Sequence, residues 1–196
     1  MNISKFTQKS VQAVQDLEKV AYEYGNQEIE QEHLLYTLLT QEDSLIDRLL
    51  SKMGINHEGF KVQATKLVEK LVKVSGGQVY LSDDLNRTLM QAEEEAKQMD
   101  DEYVSVEHLF LALIETANSN IKTLLRNFEV TREGFLQALS TVRGNQRVTS
   151  DNPEATYDSL SKYAEDLVGK ARAQKMDPVI GRDTEIRNII RILSRK

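Results

Sequence analysis

The chain of 196 residues contains no cysteine and no tryptophan, and it has only two prolines. The absence of cysteine excludes disulfides, thiolate zinc sites and a cysteine nucleophile. No stretch reaches the roughly 18 apolar residues that a membrane span needs, and the first residues lack the apolar core of a signal peptide. We therefore expect a cytoplasmic protein without a membrane partner.

The charge of the chain is moderate and acidic, with 25 Lys and Arg against 31 Asp and Glu and a formal net charge of −6. This balance argues against a nucleic-acid partner, because phosphate contacts need clustered basic side chains. A hydrophobic fraction of 40% with a charged fraction of 29% is typical of a globular protein. The scarcity of proline and of alternating β-branched residues favours α-helices.

The sequence repeats itself at an offset of 75 residues. Glu32–Leu34 has the same residues as Glu107–Leu109, and Glu58–Phe60 has the same residues as Glu133–Phe135. The alignment needs no gap between these matches. Self-similarity at a fixed offset indicates two copies of one structural unit.

Apolar residues within each repeat follow helical spacing. In the first repeat Val14, Leu17 and Ala21 are three and four residues apart, which places them on one helix face. A polar residue precedes the first and the fourth helix of each repeat and is predicted to cap it. These predicted caps are Thr7, Asn56, Ser82 and Thr131. The pattern predicts an all-α fold, a duplicated four-helix repeat with pseudo-twofold symmetry.

The repeats predict one domain over residues 1–143, with copies at about 4–74 and 79–143, because one copy alone would bury too little apolar surface. Residues 144–158 are polar and lack periodicity, so we expect a flexible linker there. Residues 159–196 then carry a helix, a turn-rich segment and a second helix, which predict the incomplete beginning of another module.

The repeated Glu-His-Leu unit resembles the amino-terminal domain of Clp unfoldases. Asn145–Val148 and Asn152–Tyr157 are similar to the linker of the ClpB-type disaggregases, and Asp177–Asp183 resembles the entry to their first AAA+ module. The resemblance implies a homohexameric, ATP-driven ring that threads unfolded or aggregated polypeptides and works with the DnaK chaperone system. It also implies that the amino-terminal domain engages exposed apolar segments of those polypeptides.

This chain itself is not expected to be an enzyme. A phosphate loop needs Gly-x-x-x-x-Gly-Lys-Ser/Thr, whereas the only Gly-Lys pair, Gly169-Lys170, is followed by Ala171. We expect no cofactor here, while the resemblance implies ATP and Mg in a full-length parent, with Val179 and Ile180 beside the adenine. Ring contacts made through nucleotide would be missing, so we expect a monomer.

No nucleophile can be paired with a base, and no histidine pair has the spacing of a zinc site, so no catalytic or metal-binding residue is predicted. His33 and His108 occupy equivalent repeat positions, which favours packing or a satisfied hydrogen bond for both. The run Glu93–Glu95 is interpreted as a solvated helix face.

Glu32 and Glu107 are predicted in the first turn of the second helix of each repeat, where the helix dipole favours a carboxylate. Stability alone is a sufficient reason for both acids. The alternative is that they border a groove between the repeats together with Thr7 and Asp101. The resemblance implies that Thr7, Asp101 and Glu107 affect substrate handling, and that paired glutamates read phosphoarginine in the related ClpC proteins.

Apolar residues flank the starts of the first helices of the two repeats and are not obviously needed by the helical core. They are Phe6, Val11, Val79, Tyr80, Leu81 and Leu85. We expect them to bind apolar side chains of a substrate, the alternative being that they join the two repeats. Two rival functions remain open, a ClpC- or ClpA-type unfoldase that feeds a protease and a free-standing adaptor of another chaperone.

Overall fold

The computed structural model describes residues 3–74, 77–144, 146–153, 172 and 181–194. The chain forms two compact units, Met1–Asp158 and Ser159–Lys196. The first unit is helical with one two-stranded parallel sheet, which confirms the all-α prediction. Apart from residue 172, the helix predicted between 159 and 175 lies outside the described residues, as do Val179 and Ile180.

The two repeats contain the same helices in the same order. The first repeat has a 3-10 turn at Ile3–Lys5, then α1 (Gln8–Tyr24), β1 (Glu28–Ile29), α2 (Gln31–Thr40), α3 (Leu45–Lys52) and α4 (His57–Glu69). The second has β2 (Tyr80–Leu81), α5 (Asp83–Gln98), α6 (Val106–Thr116), α7 (Ser119–Asn127) and α8 (Arg132–Arg143). The predicted duplication of four helices is therefore confirmed.

Each predicted cap residue is found at its helix terminus. Thr7 and Ser82 accept hydrogen bonds from the backbone amides of the first turns of α1 and α5. Asn56 and Thr131 do the same at the starts of α4 and α8. These side chains satisfy amides that have no partner within their helix, so the helix starts are encoded locally.

The segment that leads into the first helix of each repeat, here called its entry segment, pairs in parallel with a loop of the other repeat. Leu81, which precedes α5, pairs with Ile29 between α1 and α2. At the equivalent place Phe6, which precedes α1, forms a parallel bridge with Val104 between α5 and α6. Each repeat thus supplies a strand residue to the loop of the other, which is what pseudo-twofold symmetry requires.

The core is shared by both repeats. Helices α2 and α6 are buried over most of their length and contact one another, while α3 packs on α8 and α4 packs on α7. Phe60 meets Phe128 edge-on with ring centroids 5.3 Å apart, and Phe135 lies 4.8 Å from Phe110. The apolar faces of each repeat are therefore covered by the other repeat.

The interpretation of Glu93–Glu95 as a solvated face is wrong for Glu95. Its side chain is buried, and both carboxylate oxygens accept hydrogen bonds from the Arg132 guanidinium, at 3.0 and 2.6 Å. The reason is geometric, because three consecutive helical residues point in directions about 100° apart, so one member of the run faces α8.

The start of the predicted linker also differs from the expectation. Residues 146–153 make backbone hydrogen bonds to Gln8 and Glu102 of the repeats, and Val148 is fully buried. In the second unit α9 (Asp183–Leu193) is amphipathic, with Ile186, Ile189, Ile190 and Leu193 exposed.

Candidate functional site

The connector between the repeats lies along the loop that follows α1. The amides of Val74, Tyr80 and Ser82 donate to the carbonyls of residues 25, 27 and 29, at 2.9, 3.0 and 3.0 Å. Both ends of the connector are therefore held to residues 25–29. These three hydrogen bonds fix which connector side chains face outward, because neighbouring residues of an extended segment point to opposite sides.

Apolar side chains of the connector are unusually exposed. Val72, Val74 and Tyr80 are 80%, 45% and 52% exposed, and Val79 and Leu81 are half-buried against the core. We call these five residues the connector surface. Exposed apolar groups held by a fixed backbone can bury part of an apolar ligand without first becoming ordered, and such patches commonly mark interaction sites.

The residues predicted for substrate binding divide into two groups. Val79, Tyr80 and Leu81 lie on the connector surface, and Val11 is half-buried in the first part of α1. Phe6 and Leu85 are buried in the core, so the expectation that the core does not need them is wrong. Phe6 is drawn inward by its pairing with Val104, and Leu85 sits in the buried first turn of α5.

The histidine of each Glu-His-Leu unit closes a capping box. The amide of Glu30 donates to Nδ1 of His33 at 2.9 Å, and the amide of Ser105 donates to Nδ1 of His108 at 3.0 Å. Since Nδ1 accepts, Nε2 carries the proton and donates onward. Its partners are Asn26 Oδ1 at 3.1 Å and Asp101 Oδ2 at 3.0 Å. The expected hydrogen-bonded role of these histidines is confirmed.

Asp101 is the centre of a buried polar cluster. Besides His108, it accepts hydrogen bonds from the Arg143 guanidinium and, at 2.8 Å, from the amide of Val148. Burial alone would raise the pKa of Asp101, but these three hydrogen bonds and the charge of Arg143 outweigh burial and lower it from 3.8 to about 2. The carboxylate is thus held ionised inside the domain.

Glu32 and Glu107 occupy the first turns of α2 and α6, as predicted, but their side chains are buried. Oε1 of Glu32 accepts from Nδ2 of Asn118 at 2.9 Å. Oε1 of Glu107 lies 4.0 Å from Nη1 of Arg143, and neither oxygen of Glu107 accepts a hydrogen bond from the described residues.

Thr7 and the side chain of Asp101 are also fully buried. The alternative that these four residues border a groove between the repeats is therefore wrong, since each side chain is buried in the folded domain. Their influence on substrate handling stays a prediction.

Sequence reasoning missed Val72 and Val74 as members of the connector surface. The available signal was their position beyond the last turn of α4, where an apolar residue no longer follows the helical pattern. Among the described residues, no cluster of three or more His, Asp or Glu side chains is arranged to hold a metal ion, and no helix has the length and apolarity to cross a membrane.

Comparison with known proteins shows which family this chain and its fold are similar to. The sequence profile of the Clp repeat (R) N-terminal domain matches residues 5–128. The ClpB chaperones of Nitratidesulfovibrio vulgaris and Bacillus cereus are 48% and 45% identical over 100% of the chain, which spans 23% of the length of each.

Solved structures with lower identity share the fold. The Hsp104 N-terminal domain from Candida albicans is 19% identical with a TM-score of 0.67, covering 75% of this chain and 97% of that one. The N-domain of ClpV from Vibrio cholerae is 18% identical with a TM-score of 0.57, covering 71% and 85%. The chain belongs to the Clp repeat N-terminal domain family, and over its whole length it is similar to the N-terminal region of ClpB chaperones.

Proposed function

We propose that this chain is the substrate-recognition part of a ClpB-type disaggregase and binds exposed apolar segments of unfolded or aggregated polypeptides. The connector surface carries this proposal, because Val72, Val74 and Tyr80 are large apolar side chains held open to solvent by a hydrogen-bonded backbone. The relatives that match the whole chain are named ClpB, which favours a disaggregase over a ClpC- or ClpA-type unfoldase.

The expected affinity is weak. Burial of two or three apolar side chains contributes roughly 3–8 kcal/mol, whereas association costs at least about 4 kcal/mol. In a homohexameric parent several copies would act on one polypeptide, and their combined effective concentration would raise the avidity. A ClpV N-domain of this fold has been solved in complex with a VipB peptide, which supports peptide capture as a use of the fold.

The remaining activity belongs to the parent in this proposal. ATP hydrolysis with Mg, transfer of the captured polypeptide into an AAA+ ring and cooperation with the DnaK system all take place outside this chain, in the cytoplasm. The chain itself is proposed to be a monomeric binding domain that uses no cofactor.

Replacement of Tyr80 by serine tests the site. We expect Tyr80→Ser to weaken binding of fluorescently labelled, reduced α-casein by about tenfold. The variant lacks the large aromatic side chain that a bound polypeptide would cover. Fluorescence anisotropy measures the affinity, and chemical-shift mapping shows which amides respond to casein.

Tyr22→Ser is the matched control, since Tyr22 lies on α1 and is 58% exposed, close to the 52% of Tyr80. Its casein affinity should stay within about twofold of the wild type. Equal losses in both variants, or casein-induced shifts that avoid residues 72–81, would rule out the connector surface as the binding site.

A further inference from the structure

The segment that follows α8 is part of the folded domain. We call residues 146–153 the strap. The carbonyl of Gln146 accepts a hydrogen bond from the Arg143 guanidinium, and Arg147 pairs with Asp100 at 3.1 Å. Further along, the side chain of Val148 is fully buried and Pro153 is buried too. The strap therefore makes polar and apolar contacts at several points along its length.

The first attachment is made by Asp101. Oδ1 of Asp101 accepts from the amide of Val148 at 2.8 Å, and the carbonyl of Val148 accepts from the amide of Glu102 at 3.0 Å. These two bonds hold both backbone groups of one residue, so Val148 cannot leave its buried position without breaking both. The same carboxylate also accepts hydrogen bonds from His108 and Arg143, which hold it in place.

The second attachment lies at the start of α1. The amide of Gln8, the first residue of that helix, donates to the carbonyl of Asp151 at 2.7 Å. The side-chain amide of Gln8 also donates to Oδ2 of Asp151 at 2.9 Å. The strap thus runs from the end of the second repeat to the first helix of the first repeat.

The equivalent attachment in the first repeat has the opposite hydrogen-bond polarity. Asn26 occupies the place of Asp101, binds His33 through Oδ1, and donates from Nδ2 to the carbonyl of Val72 at 3.0 Å. In the second repeat the backbone amide donates to the side chain instead. An acid at 101 and an amide at 26 are therefore each matched to the backbone group that they hold.

We propose that Asp101 is a positioning residue that docks the strap, so that the folded domain continues through residues 146–153 instead of ending with α8. Because its side chain is enclosed, Asp101 does not touch a bound polypeptide. This second part rests on the proposed function, whereas docking of the strap does not.

Asp101→Asn tests the docking in the 196-residue chain. Asparagine has one acceptor oxygen and no charge. With its amino group toward Val148 the strap attachment is lost, and with its amino group toward His108 the bond to Val148 remains but is weaker because the acceptor is no longer charged. We expect the amide of Val148 to exchange with deuterium at least about tenfold faster, while the amide of Leu34 in α2 stays protected. Casein affinity should stay within about twofold of the wild type.

Asn26→Asp is the matched control, because it places a carboxylate against the Val72 carbonyl and leaves the strap intact. Val148 should then exchange at the wild-type rate.

Val148→Asp is a second test from the strap side, because a buried charge should expel the strap without altering Asp101. It should accelerate exchange of the amides at positions 148 and 102, again with unchanged casein affinity.

A disulfide supplies the reverse test, because the chain has no cysteine of its own. Gln8→Cys with Asp151→Cys, oxidised in the Asp101→Asn background, should restore protection of Val148.

The docking proposal is overturned if Asp101→Asn leaves exchange at Val148 unchanged. The positioning role is overturned if casein affinity falls tenfold in Asp101→Asn but not in Val148→Asp. Absence of casein binding by the wild-type chain would overturn the proposed function and leave the exchange result standing.

Discussion

Gln31→Met is expected to lower the free energy of unfolding by about 3 kcal/mol, because it removes a buried polar side chain that links the two repeats. Nε2 of Gln31 donates to Oγ1 of Thr88 at 2.8 Å and to the carbonyl of Thr116 at 3.0 Å. Oε1 accepts from the amide of Asn118 at 2.8 Å. Methionine keeps the unbranched length of the side chain, so the loss reflects one buried and two partly buried groups left without this partner. Urea unfolding followed by circular dichroism measures the change.

Gln41→Met is the matched control for this substitution. Gln41 is half-buried and its Nε2 donates one hydrogen bond, to the carbonyl of Lys9 at 2.9 Å. We expect a loss of about 1 kcal/mol or less. If the two variants were destabilised equally, the crossing hydrogen bonds of Gln31 would have no special part in joining the repeats.

The domain is expected to lose stability in mild acid because of His33. Burial lowers the pKa of this imidazole from 6.5 to about 4 in the folded chain. As the pH falls, the unfolded chain takes up this proton at a higher pH than the folded chain does. The stabilisation of the folded chain by neutral His33 is therefore complete above pH 6.5 and is lost as the pH falls toward 4. The free energy of unfolding should fall by about 2 kcal/mol between pH 7 and pH 5, and by about 3 kcal/mol at pH 4.

His33→Gln separates this effect from the titration of other groups. Glutamine at the same helix position can complete the capping box but does not titrate. Urea unfolding at a series of pH values should therefore show a shallower slope between pH 6.5 and pH 4 for the variant. Parallel slopes for the two proteins would show that His33 is not the group that takes up the proton.

Features with local causes could be predicted from the sequence. The caps Thr7, Asn56, Ser82 and Thr131 were found because a cap and its amide are three residues apart. The duplication was found because equal sequences fold to equal helices. The exposure of Tyr80 is predictable because this residue precedes a helix and does not continue its apolar pattern.

Features with distant causes could not be predicted. Glu95 is buried because Arg132, on another helix, binds both of its oxygens. Phe6 is buried because its partner Val104 belongs to the other repeat. The strap is docked because Asp101 accepts from the amide of Val148, and nothing in the polar composition of residues 144–158 indicates that contact.

The exchange of entry segments has a consequence for synthesis on the ribosome. Phe6 cannot pair until Val104 has emerged, so the beginning of the chain waits while about a hundred residues are added, which takes roughly 5–20 s. During that interval the first repeat exposes the faces that the second will cover. The apolar surface of the first repeat is thus open to aggregation until the second repeat is complete.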